Sequence, residues 1–351
     1  MINLFNAQIE SLSIHKIGNK SRNEALILSE STCKLNDEFR PLFKEFFFKP
    51  FREKEENYYE FSHEVDLSYN EICRCSNELF DHQGTNLHRI SQTIAKHLYE
   101  QSNHPHIKNG ELYVAYIKNV SIDNETVDAI GIFKSELKHD FFDFVNINGN
   151  LIPALRSGVL LEKLDKGCLI FNVNKSTGYK ILTVDSNRYD SRYWLEHFLS
   201  VDICQDENFL TKKYLKFVEG FSKEVILPAE DKMEQINFMN RAVDHFAKID
   251  EFEEREFINE TIMNPDLTAE FRNYKEEKGE KYSITDVTAF PVSNKAVSDA
   301  RKKIKSKIVL DTGVELNVKI VNQQAFDKTI EKGFDPERQQ YYYLVYFNKE
   351  S

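Results

Sequence analysis

The chain has 351 residues, of which 41% are hydrophobic and 29% charged, and its formal net charge is −11 at pH 7. That balance belongs to a folded globular protein, not a disordered one. It excludes a wholly positive, nucleic-acid-coating surface but leaves room for a local basic patch.

A chain of this length commonly divides into about two domains, because single cores stop growing near ~250–300 residues. Phe (27) and Tyr (16) are abundant, whereas Gly (12) and Pro (8) are scarce. Few turn residues favour helices and long hairpins over a β-sandwich. No apolar run approaches the ~18 residues of a membrane span, and Met1–Glu10 lacks the pattern of a secretory signal. The 5 Cys are an odd number and read as reduced cytosolic thiols.

Ile9, Leu12, Ile14 and Ile17 alternate with polar residues, and Gly18-Asn19-Lys20 reads as a turn into a second strand at Ala25–Leu28. The aromatics from Phe39 to Phe51 recur every three to four residues, which predicts a helix stopped before Pro50. Leu87, Ile90, Ile94 and Leu98 predict a helix over Asn86–Glu100. Leu112–Lys118 and Val127–Phe133 form a hairpin about Asp123-Asn124-Glu125, and Cys168–Val173 with Tyr179–Val184 form another. Tyr193–Leu199 reads as a short packed helix.

The predicted boundary falls between Ser200 and Asp206, giving an N-terminal α+β domain over 1–202 and a C-terminal domain over 203–351. The second domain begins helically, with one face formed by Ile236, Met239, Val243 and Phe246. Further helical runs cover Phe252–Ile262 and Leu267–Tyr274, the latter bounded by Lys278-Gly279-Glu280, and Ser283–Asp286 reads as another helix start. Ile308–Leu310, Val314–Ile320 and Tyr341–Phe347 predict a small terminal sheet of three strands. The fold class is therefore α+β: an N-terminal antiparallel sheet with flanking helices, then a mostly helical domain with a small terminal antiparallel sheet.

Catalytic signatures are absent from the sequence. No glycine-rich phosphate loop, GxSxG elbow or HExxH occurs. Cys73 and Cys75 are too close for a zinc knuckle, and no second Cys pair follows. His104 and His106 flank Pro105 and read as loop residues. No metal or cofactor is indicated. Glu136, Asp140 and Asp143 have helical spacing and could share a face, which reads first as a solvated surface and second as part of a metal-dependent nuclease. Asp311-Thr312-Gly313 lies between two strands and reads as a hairpin turn in preference to a protease loop.

The basic run is more informative. Lys295, Arg301, Lys302, Lys303, Lys305 and Lys307 are opposed only by Asp299. On a helix, Ala296, Ala300 and Ile304 would pack while lysines meet phosphates in a salt-dependent way without reading bases. The bland reading is a solvated face paired with Glu251, Glu253, Glu254 and Glu256. Lys212, Lys213 and Lys216 form a second, weaker patch. Tyr341-Tyr342-Tyr343 could stack bases, although alternate members of a strand must face opposite sides.

The order of motifs resembles the bacterial nucleoid-associated protein family. The resemblance is carried by Ile9–Lys20, Ala129–Ser135 and Leu164–Asn172, by Tyr193-Trp194 with Phe198-Leu199, by Phe217-Val218 before Phe221, and by Ile308–Asp311. It is spread over nearly the whole chain and contains no catalytic signature. The resemblance implies a cytoplasmic protein of the nucleoid that binds DNA or contacts DNA-handling proteins such as a type II topoisomerase. The acidity of this chain departs from a simple DNA coat. A homodimer would bring two Lys295–Lys307 runs together. The expected function is non-enzymatic DNA association with little sequence specificity. Recruitment through a protein partner and a metal-dependent nuclease are the alternatives.

Overall fold

The computed structural model describes residues 2–52, 57–123, 125–186, 192–229, 232–303, 307–317, 330–347 and 349. The chain separates into two compact units, Met1–Cys204 and Gln205–Ser351.

The first unit is built on an antiparallel sheet. Its strands are β1 (Ile2–Asn3), β2 (Gln8–Ile17), β3 (Tyr59–Phe61), β4 (Gly110–Ile122) and β5 (Glu125–Ser135). After the hairpin of β6 (Lys138–Ile147) and β7 (Asn150–Val159) come β8 (Lys166–Phe171), β9 (Lys180–Asp185) and β10 (Val201–Ile203). The main sheet runs β1-β4-β5-β8-β9-β3-β10, with β2 also on β4, while among the described residues β6 and β7 pair only with each other.

Alternation along each strand serves two cores. Leu112, Val114 and Tyr116 face one side with Ile130, Ile132 and Ile170. There they meet α2 (Glu71–Asp81), α3 (Leu87–Gln101) and a π-helical turn (Tyr193–Leu199) carrying the fully buried Trp194. Tyr113, Ala115 and Ile117 face the other side and meet α1 (Phe39–Arg52). With both faces covered, β8 is buried along its whole length.

Several sequence expectations change. The predicted strand at Ala25–Leu28 contributes a single bridge, Lys16 to Ile27. The ladder of β2 is taken by β4 instead. Asn19 ties the turn elsewhere, its amide donating to the carbonyls of His104 (2.8 Å) and Ile107 (2.6 Å). Helix α1 continues through Pro50 to Arg52. Pro50 gives up one i→i−4 hydrogen bond in the last turn, and burial of Phe51, edge-on to Phe133, offsets that cost. Glu136, Asp140 and Asp143 do not share a helical face. Asp140 and Asp143 lie on opposite faces of β6, and Glu136 is buried in an ion pair. Cys73, Cys75 and Cys168 are core residues, and burial pushes the Cys75 thiol up to about 12.

His15 is a buried imidazole between β2 and α3. Its Nδ1 accepts from the Ser29 N–H (3.2 Å), so its Nε2–H donates to Ser91 Oγ (2.8 Å). Burial, then the nearby His88, lowers its pKa to about 4. Between the unfolded value of ~6.5 and about 4, the unfolded chain binds the extra proton, so stability falls as pH falls through that window. The shift corresponds to a loss of about 2–3 kcal/mol by pH ~4.5. Urea unfolding at pH ~7 and ~4.5 should show this loss in the wild type and a smaller one in His15→Gln.

The second unit contains α4 (Glu207–Phe221), α5 (Leu227–Ala229), α6 (Lys232–Phe246), α7 (Glu254–Phe257), α8 (Pro265–Tyr282) and α9 (Asn294–Lys303). Among the described residues, three two-stranded antiparallel sheets accompany them: β11 (Glu251–Glu253) with β12 (Ala289–Pro291), which pair across α7 and α8, and the hairpins of β13 (Lys307–Val309) with β14 (Glu315–Asn317) and β15 (Ile330–Asp335) with β16 (Gln340–Val345). Its core is aromatic, with Tyr214, Phe217, Phe246, Phe252 and Phe290 among the buried rings. The predicted helix from Phe252 begins instead as β11, and α8 runs through Gly279 to Tyr282. Gly279 suits that position because a Cβ there would lie 3.1 Å from the Thr285 backbone. Ser283, at φ 60°, ends α8 and starts no new helix. Asp311-Thr312-Gly313 is a turn, with Gly313 at φ +82°. Among the described residues the terminal strands form two separate hairpins, not one three-stranded sheet. Residues 318–320 of the predicted strand lie outside the described residues.

Candidate nucleic-acid interface

The basic run begins on α9. Ser293 sets its start: its N–H donates to Thr211 Oγ1 of α4 (3.0 Å), and its own Oγ accepts from the Ala296 N–H (3.4 Å). Ala296 and Val297 are buried, and the helix packs on α4 and α6. Lys295, Arg301, Lys302 and Lys303 are consequently exposed. Arg301, Lys302 and Lys303 occupy the last turn, where the helix dipole favours cations.

The exposed charges are not equivalent. Arg301 is ion-paired with Asp244 of α6. Lys302 lies 3.4 Å from Asp299, one turn back. Surface pairs of this kind contribute little to stability and exchange readily for another anion. Of the acidic run expected to neutralise the segment, Glu254 is committed elsewhere: it accepts from Lys275 (2.6 Å) and from the Tyr214 hydroxyl (2.7 Å). Lys305 lies outside the described residues, and Lys307 opens β13 opposite Asn317.

The second patch sits on α4. Asp206 caps this helix by accepting from the Phe209 N–H (2.9 Å), and the ammonium of Lys213 lies 5.1 Å from the Phe209 ring centre. Lys216 is exposed, while Lys212 and Lys213 are half-buried. Thr211 holds the start of α9, so Lys212 and Lys213 follow directly on the residue that joins the helices. The α9 part of the basic run and the α4 lysines, far apart in sequence, thus belong to one helical body. Its ammonium groups can make point-charge contacts with phosphates and carry no bidentate geometry for bases. Tyr341 and Tyr342 are exposed on β16, whereas Tyr343 is half-buried.

A charged cluster that sequence reasoning missed lies inside the first unit. Lys134 and Lys166 are both 0% exposed. The Lys134 ammonium donates to Glu136 Oε1 (2.8 Å), the Lys108 carbonyl (2.7 Å) and the Tyr193 hydroxyl (3.2 Å). Tyr193 donates in turn to Glu136 (2.7 Å), and Lys166 donates to Asp185 (2.7 Å). Burial alone would raise the Glu136 pKa, but Lys134, Lys166 and the hydrogen bonds hold it below the ordinary carboxylate value. No local signal marks this cluster, because Lys134 ends an apolar strand as a surface lysine commonly does. Among the described residues, no group of three or more His, Cys, Asp and Glu is placed to hold a metal ion, and no helix is long and apolar enough to cross a membrane.

No curated protein matches the chain. A family model described as nucleoid-associated protein YejK matches residues 13–339. That span holds the two strand hairpins of the main sheet, the aromatic helical core and the whole basic run, and on it the chain belongs to the nucleoid-associated protein YejK family.

Proposed function

We propose that this protein associates directly with DNA at the cytoplasmic nucleoid, with little sequence specificity, as an oligomer and without catalysing a reaction. Lys295, Arg301, Lys302, Lys303, Lys305 and Lys307 are the phosphate contacts, supported by Lys212, Lys213 and Lys216. The observation that supports the reading is the packing of α9 on α4, which joins the helix carrying Lys295, Arg301, Lys302 and Lys303 to the helix carrying Lys212, Lys213 and Lys216, in a member of a nucleoid-associated family. The net charge of −11 confines the contact to that body.

The test is an anisotropy titration of duplex DNA. Six phosphate contacts give a slope of about −5.4 in log K against log salt, or roughly 1,000-fold weaker binding between ~50 and ~200 mM salt. Combining Lys295→Glu, Lys302→Glu and Lys303→Glu should flatten that slope and abolish most binding. Unchanged affinity in the triple variant would sink the direct contact. The same net charge favours a second reading, in which the chain reaches DNA through a DNA-handling partner such as a type II topoisomerase. Capture of that enzyme from a nuclease-treated lysate, with no binding to naked DNA, would favour it.

A further inference from the structure

The hairpin β6–β7 is a ten-residue-long arm whose strands pair with each other and with no other strand among the described residues. A lone two-stranded hairpin is marginally stable in water. The turn Asn148-Gly149, with φ of 53° and 82°, is the two-residue kind that matches strand twist. Its register puts Phe142 opposite Leu155, Phe144 opposite Pro153 and Asn146 opposite Leu151. These residues share one face, where Phe142 (69%), Phe144 (62%), Leu151 (71%) and Leu155 (69%) are exposed. The other face carries the ion pair between Asp143 and Arg156 (2.6 Å) and exposes its apolar side chains less, with Phe141 at 52%, Val145 at 38%, Ile147 at 49% and Ile152 at 45%. Between those two residues the sequence has no ionisable side chain.

We propose that the Phe142–Leu155 face of this arm is a homodimer contact, packing about a twofold axis on the same face of a second copy. The proposal rests on the oligomeric part of the functional reading and supplies its interface. A DNA phosphate is a poor occupant, since this stretch offers no cation. A charged peptide is equally unsuited. A second copy presents the same uncharged area at the same length, as a twofold contact requires. The area is also sufficient. Four side chains about two-thirds exposed present on the order of 500 Å² of apolar surface, judged from the ~150–250 Å² of a buried aromatic. Two copies would then bury about 1,000 Å², the size at which a specific interface becomes credible. The outer edge of β7 is blunted at Pro153. The closing pair Ile147–Asn150 is hydrogen-bonded, so alternation leaves the Phe144–Pro153 pair unbonded, with the missing N–H facing outward. That favours face packing over strand addition at β7.

Sedimentation velocity on the full chain without DNA tests this, and so separates its failure from failure of the DNA contact. The wild type should be a dimer at ~10 μM. Combining Phe142→Ser with Phe144→Ser should weaken the dimer about 100-fold or more. Val145→Ser, on the opposite face, should leave it dimeric. Because serine could loosen the hairpin, a second variant replaces 140–157 by Asn-Gly. His139 and Gly158 are in phase with the hydrogen-bonded closing pair Ile147–Asn150, so a two-residue turn can join them. The armless protein should be a monomer with unchanged thermal unfolding. A monomeric wild type, or an armless protein that remains a dimer, would overturn the proposal.

Discussion

Replacing Lys134 by Ala is expected to cost the first unit about 3–5 kcal/mol, the range for breaking a buried ion pair from one side. Lys134 is fully buried, and its ammonium is held by a carboxylate, a carbonyl and a phenol oxygen. Removing it leaves Glu136 charged and buried beside Tyr193, with the cavity of a lysine stem added. Lys166 sits close enough to act on Glu136 but is committed to Asp185 at 2.7 Å, so it compensates only in part. Pairing Lys134→Met with Glu136→Leu should recover most of the loss, because no charge is then left alone. Guanidinium unfolding followed through Trp194, the only tryptophan and itself buried, reads this unit selectively. A Lys134→Ala cost below ~1 kcal/mol would mean that water reaches the site. The Glu136 contribution has a defined sign with pH. Its carboxyl is held below its ordinary value, so the stabilisation is present near neutral pH and is lost in acid as pH falls through the folded value.

Phe252→Ala should destabilise the second unit by a similar amount, about 3–5 kcal/mol. The Phe252 ring is fully buried and lies parallel to Phe246 at 4.9 Å, 4.8 Å from Phe290 and 4.3 Å from Tyr214. Those neighbours come from β12, α4 and α6, so the surrounding elements cannot collapse into the space without breaking other stacks. Phe252→Leu keeps most of the volume and should cost roughly half as much. Far-UV circular dichroism during urea unfolding would resolve the effect as an earlier transition of this unit. Val297 of α9 lies in the same core, so DNA affinity should follow the folded fraction of Phe252→Ala. A loss of affinity while the unit remains folded would show that Phe252 also fixes the lysine geometry.

Much of this protein was legible in its sequence. The β4–β5 and β8–β9 hairpins follow from period-two alternation broken by turn residues, and α3 and α6 from apolar residues at helical spacing. These are local patterns, and local backbone geometry is sufficient to express them. The β6–β7 arm was missed because Glu136, Asp140 and Asp143 fit a helical spacing as well as a strand. The signal that would have found it is Asn148-Gly149, a strong two-residue hairpin turn. The basic run was visible as charge. Its joining to Lys212 and Lys213 was not, because Thr211 and Ser293 are far apart in the chain and meet only once α9 packs on α4. Sequence alone therefore determined the α+β class, the main hairpins, the family and the basic segment. Tertiary structure decided that Arg301 pairs with Asp244, that Lys134 is buried and paired, and that an apolar face of the arm is left uncovered. The physical reason is that periodicity is set by near neighbours, whereas the partner of a charge, or the cover of an apolar face, is chosen by whichever distant element packs against it.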